Sequence, residues 1–142
     1  MDVAELRKRI LRELDRPGSG PAGTDRRVAA DNARAAFARL LNGTIAPLLL
    51  QTASILKAEG ELCQVHTPSD YVRLAFSSSH EDFIEFRLDT APPAHVIGRS
   101  SVRRKGGTVV EDRLVGVGRP VEDITEEDVV AYLIPELRRI LK

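Results

Sequence analysis

Residues 37–57, FARLLNGTIAPLLLQTASILK, form the longest stretch with a helical repeat in this chain of 142 residues, and also its most apolar part. Apolar side chains recur there at steps of three and four, which is the spacing of one face of an α-helix. The core-facing residues predicted from this spacing are Phe37, Leu41, Ile45, Leu48, Thr52 and Ile55. We therefore expect a long helix on which the rest of the fold packs.

Two residues disturb this helical pattern. Gly43 weakens a helix, and Pro47 lacks an amide hydrogen while its ring crowds the carbonyl group of Gly43. We expect a kink or a break near residues 42–43. Thr24 or Asp25 is predicted to cap the start of this helix, and Gly60 to close it in a left-handed conformation.

The hydrophobic period changes from helical spacing to two after residue 61, which is typical of half-buried strands. Five strands are predicted, at residues 62–67, 71–76, 83–88, 94–104 and 108–117. A final helix begins after Thr125, with acidic residues in its first turn and a kink expected at Pro135. Strands grouped between helices indicate an α+β fold: a long kinked N-terminal helix, a five-strand antiparallel meander and a C-terminal helix, with the helices on one face of the sheet.

The hairpin between the last two strands can be given a register. A three-residue loop at residues 105–107, with Gly107 left-handed, would place Val102 opposite Val110. The apolar residues then share one face, and the other face carries the charged residues Arg99, Arg103, Glu111 and Arg113.

The N-terminal region is predicted to be an appendage. Residues 1–15 form an amphipathic helix with Val3, Leu6, Ile10 and Leu14 on one face. Residues 16–24 are rich in Pro and Gly and are expected to be a linker. Residues 25–142 then form a single domain.

Composition restricts the compartment and the partners. The 21 basic and 21 acidic residues give zero net charge, which argues against nucleic acid as a partner. The one cysteine, Cys63, cannot form an internal disulfide, and the N-terminus has no signal-peptide run. No stretch has the roughly 18 uninterrupted apolar residues of a membrane span. We expect a cytoplasmic protein with no membrane partner.

Motifs for cofactors, metals and nucleophilic catalysis are not evident. After residue 61 the sequence has two closely spaced glycine pairs, Gly106-Gly107 and Gly116-Val117-Gly118. Neither leads directly from a strand into a helix, as a phosphate-binding loop does, so no cofactor is expected. The triplet His80-Glu81-Asp82 has residue types that bind metals, but adjacent residues in a turn rarely point at one ion, so a metal site is not expected there. Cys63 and His66 fall on opposite faces of one strand, which argues against a Cys–His pair.

Arginines are the most suggestive chemical feature. The candidate contacts for an anion or ligand are Tyr71, Arg73, Arg87, Arg99 and Arg113. The planar fork of arginine suits phosphate or carboxylate partners. The alternative is a solvated face in which Glu85, Glu111 and Asp112 balance these arginines through cross-strand pairs.

Two classes of function follow. We expect a protein-interaction or assembly domain, a homodimer or an adaptor without catalytic activity, with Leu48, Leu49 and Leu50 as the candidate interface. The alternative is a small-ligand or anion-binding protein, or an enzyme, that uses a pocket between the sheet and the long helix. Nucleic-acid binding through the arginines is a weaker third class, which would be recognised by a steep loss of affinity with salt.

Overall fold

The chain folds as helices, then five consecutive strands, then a helix. The structure is a computed structural model that describes residues 2–14, 20–79 and 81–141. Its elements are α1 (Val3–Leu14), α2 (Gly20–Leu40), a π-helical turn (Leu41–Ile45), α3 (Ala46–Ala58), β1 (Cys63–His66), β2 (Tyr71–Phe76), β3 (Phe83–Asp89), β4 (His95–Arg104), β5 (Gly107–Val115), a 3₁₀ turn (Val121–Asp123) and α4 (Glu126–Leu141). This is the predicted α+β fold.

The sheet is an antiparallel meander in the order β1-β2-β3-β4-β5. Helices pack against one face, which we call the inner face, and the opposite face we call the outer face. The predicted alternation is confirmed in β2 and β3, where the alternate apolar residues face the helices. These inner-face core residues are Val72, Leu74, Phe76, Ile84 and Phe86.

The long helix contains a π-helical turn where the kink or break was predicted. The backbone amide of Ala46 donates to the carbonyl oxygen of Leu41, five residues earlier, so the widened turn lies just before Pro47. This arrangement accommodates a residue that cannot donate to the preceding turn. Two α-helices therefore continue into one another through residues 41–45.

The π turn also shifts which residues of α3 face the core. One extra residue in the turn moves the buried positions along the chain by one, so Leu49 is fully buried and Leu56 packs against the core. The prediction that Ile55 belongs to the core-facing stripe is wrong, since 64% of it is exposed. A regular repeat of 3.6 residues cannot anticipate such a shift.

The start of α2 also differs from the prediction. The helix begins at Gly20, so residues 20–24, predicted as linker, are helical. Pro21 is compatible with this start because the first turn of a helix needs no amide donors. Asp15 and the predicted linker residues 16–19 lie outside the described part of the chain.

The β4–β5 hairpin has a different register from the predicted one. Arg104 pairs with Gly107 and Val102 with Val109, so the loop has two residues and not three. Its second residue, Gly106, has the positive φ of 97° that favours glycine. Consequently Glu111 and Arg113 lie on the inner face, together with buried Val115, and not beside Arg99.

The residues at the end of α3 and at the start of α4 adopt the predicted conformations. Gly60 has φ of 90°, as expected for a left-handed helix end. At α4 the backbone amide of Thr125 donates to Oδ2 of Asp128 at 3.0 Å, and the amide of Asp128 donates to Oγ1 of Thr125 at 3.3 Å. This reciprocal cap starts α4, which then runs through Pro135 to Leu141.

Candidate functional site

The outer face carries a cluster of arginines held by one buried carboxylate. Glu85 on β3 lies between Arg73 and Arg87 in the pleat, and its exposed fraction is 0%. Arg73 donates through Nε at 3.0 Å and Nη2 at 2.6 Å to Oε1, and Arg87 donates through Nε at 2.7 Å to Oε2. We call Arg73, Glu85 and Arg87 the arginine cluster. Two cations against one anion leave it with one net positive charge.

Aromatic rings support the arginine cluster from the same face. The guanidinium carbon of Arg73 lies 4.0 Å from the ring centre of Phe83 and 5.6 Å from that of Tyr71. The corresponding carbon of Arg87 lies 5.4 Å from the ring centre of Tyr71. Rings and carboxylate together fix the planes of both guanidinium groups. The outer face is therefore an ordered surface in which charge and aromatic area alternate.

Arg99 is adjacent to the cluster but has its own partner. It donates to both carboxylate oxygens of Asp112 across the β4–β5 pair, at 2.7 and 3.0 Å. These hydrogen bonds hold the pKa of Asp112 below its usual value and raise the pKa of Arg99. Both side chains are partly exposed, so the pair is a modest contributor to stability.

The fifth candidate, Arg113, lies on the inner face with α4. Its Nη1 is 3.7 Å from Oε1 of Glu136, which is 1% exposed. Nη1 of Arg139 donates to Oε2 of Glu136 at 2.7 Å and to Oε2 of Glu111 at 3.0 Å. The structure thus brings Tyr71, Arg73 and Arg87 together, with Arg99 beside them, and separates Arg113 from the other four.

Tyr132 lies beside this inner-face network of Glu111, Arg113, Glu136 and Arg139. Its ring stacks edge-on against Phe86, with centroids 5.3 Å apart, and covers Gly98 so closely that a Cβ atom there would overlap the ring. Burial, followed by the neighbouring charge of Glu136, raises the pKa of Tyr132. Its buried hydroxyl has no hydrogen-bond partner among the described residues.

A cleft of about 650 Å³ opens between α2 and the sheet, at the start of β2 and the end of β3. Tyr71 and Arg87, two of the predicted ligand contacts, line it together with Arg34 from α2. The β1–β2 turn adds polar groups from residues 67–70, including Asp70. Two arginines and an aromatic ring thus contribute to the lining of the cleft, and Arg34 also donates to Oδ1 of Asp31 at 2.9 Å.

The predicted interface leucines are placed differently from one another. Leu49 is fully buried in the core of this chain and Leu48 is half-buried, whereas Leu50 exposes 59% of its surface. Ile55, on the same helix, is also exposed. Of the three predicted interface leucines, only Leu50 is exposed enough to contact a partner, and Ile55 is a further exposed residue of the same helix.

The remaining candidates show no assembled reactive site. Cys63 packs toward the core while His66 is exposed on the outer face, and burial raises the pKa of the Cys63 thiol. His80, of the triplet His80-Glu81-Asp82, lies outside the described residues. Within residues 2–14, 20–79 and 81–141, no three metal-ligating side chains are grouped to hold an ion. None of the helices described is both long and apolar enough to cross a membrane.

Sequence reasoning missed Arg34, Glu136 and Arg139. Arg34 gave no signal, because only the fold brings α2 beside β2. Glu136 did give one, since it lies four residues after Tyr132 and falls within the apolar stripe of α4. A carboxylate inside an apolar stripe indicates a buried partner of opposite charge.

Comparisons of the chain with protein-family models, with curated proteins and with solved structures gave no match.

Proposed function

We propose that this chain is a non-catalytic assembly domain that binds a second copy of itself to form a homodimer. The observation that carries the proposal is the apolar face of α1, where Val3, Leu6 and Ile10 are 82%, 49% and 50% exposed. A helix of twelve residues is marginal by itself in water and normally depends on packing of its apolar face. An exposed face of this kind supports a protein partner.

Charge supports a second copy as that partner. Residues 2–14 carry four basic and three acidic side chains, so this segment has only a small positive net charge. The zero net charge of the chain means that two copies do not repel one another at long range. Exposed Leu50 and Ile55 add apolar area on the body. The cytoplasm is the compartment we propose, since Cys63 has no second cysteine with which to form an internal disulfide.

The proposal is tested by the solution mass of the full chain, measured by light scattering over a hundredfold range of protein concentration. We expect the mass of a dimer at the upper end of the range. The mass of a monomer throughout would contradict self-association and leave an adaptor for other proteins.

Substitutions in α1 identify the contact element. The double variant Leu6→Glu/Ile10→Glu places two negative charges on the apolar face. Lys8→Glu changes the net charge by the same amount on the opposite face, and is the matched control. Loss of the dimer in the double variant alone assigns the contacts to α1. A dimer that survives in both assigns them to the body.

Ligand binding is a second candidate, favoured by the cleft that joins Tyr71 and Arg87 to Arg34. Two guanidinium groups and a ring suit a small carboxylate or phosphate compound. We expect orthophosphate or a dicarboxylate to raise the melting temperature of the full chain. The increase should disappear in Arg34→Gln and persist in Arg39→Gln, an exposed arginine of α2 outside the cleft lining. Equal responses of both variants would contradict a site in this cleft.

A further inference from the structure

The sheet ends in a long edge strand. β5 has nine residues, of which only Val115 is buried, whereas the opposite edge strand β1 has four. Pairing with β4 is continuous from Gly107 to Val115, so no bulge twists the edge away. The strand contains no proline and no lysine, and each of its charged residues, Glu111, Asp112 and Arg113, is paired within its own chain. Its outward backbone groups therefore offer a template for another strand.

The side chains of β5 match a second copy of the same strand. A two-fold axis perpendicular to the sheet relates antiparallel edge strands and keeps the helices of both copies on one side. Residues opposite each other in such a pair point to the same face of the sheet. One residue of β5 therefore lies directly opposite its own copy, and the axis runs midway between the two. With the axis at Asp112, Val110 lies opposite Leu114 of the second copy, and Glu111 opposite Arg113. Symmetry makes each of these pairs twice. Glu111 and Arg113 already have partners in Arg139 and Glu136 of their own chain, so the apolar pair of Val110 and Leu114 is the main complementary contact.

Neighbouring registers lack this match. An axis at Glu111 sets that carboxylate opposite its own copy and Val110 opposite Asp112. An axis at Arg113 sets two guanidinium groups opposite each other and Asp112 opposite Leu114. The axis at Asp112 brings two Asp112 side chains together, but each is already bound by both hydrogen bonds from its own Arg99. Pair by pair, the Asp112 register is the most complementary of the three.

We infer that two copies of this chain pair through their β5 edges, antiparallel about Asp112, into one ten-stranded sheet. The inference rests on the proposed self-association and places its contacts in the body of the chain, at β5, which is the second of the two outcomes given above for the α1 substitutions. The outer faces of the two copies would be continuous, with the two Arg99–Asp112 pairs at the centre. Val110 and Leu114 are the residues to test, because both are exposed on the outer face, away from the inner-face network with α4.

The experiment measures the mass of the full chain by light scattering for four proteins: the unchanged chain, Val110→Lys, Leu114→Glu and Val117→Lys. Val117, beyond the end of β5 and 76% exposed, is the matched control. We expect the unchanged chain and Val117→Lys to be dimers. Each of the two strand variants should weaken the dimer by about tenfold or more. Far-UV circular dichroism checks that both remain folded.

Mixing Val110→Lys with Leu114→Glu tests the register. Pairing about Asp112 sets the introduced lysine of one copy opposite the introduced glutamate of the other, so the dimer in the equimolar mixture should be stronger than that of either variant alone. A dimer unaffected by either substitution overturns the edge interface but leaves self-association standing. Weakened variants without recovery on mixing overturn the register. A monomeric unchanged chain overturns the proposed function itself, and leaves β5 open to a strand from another protein.

Discussion

Glu85 is completely buried on the sheet face opposite the helices, and it is the residue that organises the outer surface. Each of its carboxylate oxygens accepts from a different arginine, and those arginines in turn lie over Tyr71 and Phe83. Arg73 and Arg87 are therefore already neutralised in part within the chain. A ligand anion at this face would have to compete with the carboxylate of Glu85. Glu85 belongs to the same chain, so it pays none of the entropy that a free ligand loses on binding.

Replacing Glu85 tests this role. In Glu85→Gln we expect the free energy of unfolding to fall by about 1–3 kcal/mol, because two guanidinium groups lose a buried charged acceptor but remain partly exposed to water. Asp112→Asn, which removes one charge from the more exposed pair with Arg99, should cost less than about 1 kcal/mol. Urea denaturation measures both. Equal losses in the two variants would contradict the special position of Glu85.

Gly98 is required by the close contact between β4 and the ring of Tyr132. In Gly98→Ala the added methyl group overlaps that ring, so we expect a loss of about 1–3 kcal/mol in the free energy of unfolding. Gly43→Ala is the control, since a Cβ there meets no atom within 4 Å. Its better helix propensity should leave stability unchanged or raise it by up to about 1 kcal/mol. A neutral Gly98→Ala in the same denaturation assay would mean that α4 can move away from the sheet.

At the scale of elements, the sequence predicted those features of strands and helix ends that depend only on neighbouring residues. The alternation in β2 and β3 predicted the helix-facing side of each strand correctly, because Arg73, Glu85 and Arg87 all fall on the other side when the period is two. The cap at Thr125 and the left-handed Gly60 depend on neighbouring residues only, and they too were predictable.

Long-range pairing explains the elements that were not predicted. The three-residue loop predicted at residues 105–107 separates the charged from the apolar residues of β5. In the structure Glu111 and Arg113 share a face with Val115, and they are stabilised there by Arg139 and Glu136 from α4. The sequence of the hairpin could not predict the contact of Glu111 with Arg139, because Arg139 lies 28 residues further along the chain. The π turn likewise moves the core-facing residues of α3 by one position.

The cap of α4 gives stability that depends on pH. The backbone amide of Thr125, together with its hydroxyl and Arg119, holds the pKa of Asp128 below its usual value. A carboxylate with a lowered pKa stabilises the fold above its unfolded pKa near 4, and this contribution disappears as pH falls through the lower folded value. We expect Asp128→Asn to cost about 1 kcal/mol at pH 6. The difference from the unchanged chain should shrink as pH falls below about 4.

Urea denaturation across this pH range measures the effect of Asp128. Glu127→Gln is the matched control, because it removes one charge from the same helical turn at an exposed position. Its cost should stay below that of Asp128→Asn at pH 6. A cost for Asp128→Asn that is the same at pH 2 and pH 6 would show that the charge of Asp128 is not what stabilises the cap.

At the scale of the whole molecule, the two functional hypotheses use different surfaces. The cleft beside α2 collects Arg34, Tyr71 and Arg87, whereas the apolar face of α1 and the β5 edge lie on other elements. The prediction of a pocket between sheet and long helix was possible because an α+β layer architecture creates such a pocket at the end of the sheet. Its members could not be chosen correctly without the fold, which separates Arg113 from the other candidates and brings in Arg34.

Self-association predicts that thermal stability depends on protein concentration. A partner that binds only the folded chain stabilises it by mass action, and for a homodimer that partner is the protein itself. A hundredfold increase in concentration above the dissociation constant adds about 1.4 kcal/mol per protomer, which for a chain of this size raises the melting temperature by on the order of 5 °C. The melting temperature of Val110→Lys should depend less on concentration than that of the unchanged chain, while Val117→Lys should follow the unchanged chain. Scanning calorimetry over that range of concentration distinguishes a dimer from a monomer. If the unchanged chain melts at the same temperature throughout, it is a monomer and self-association is contradicted.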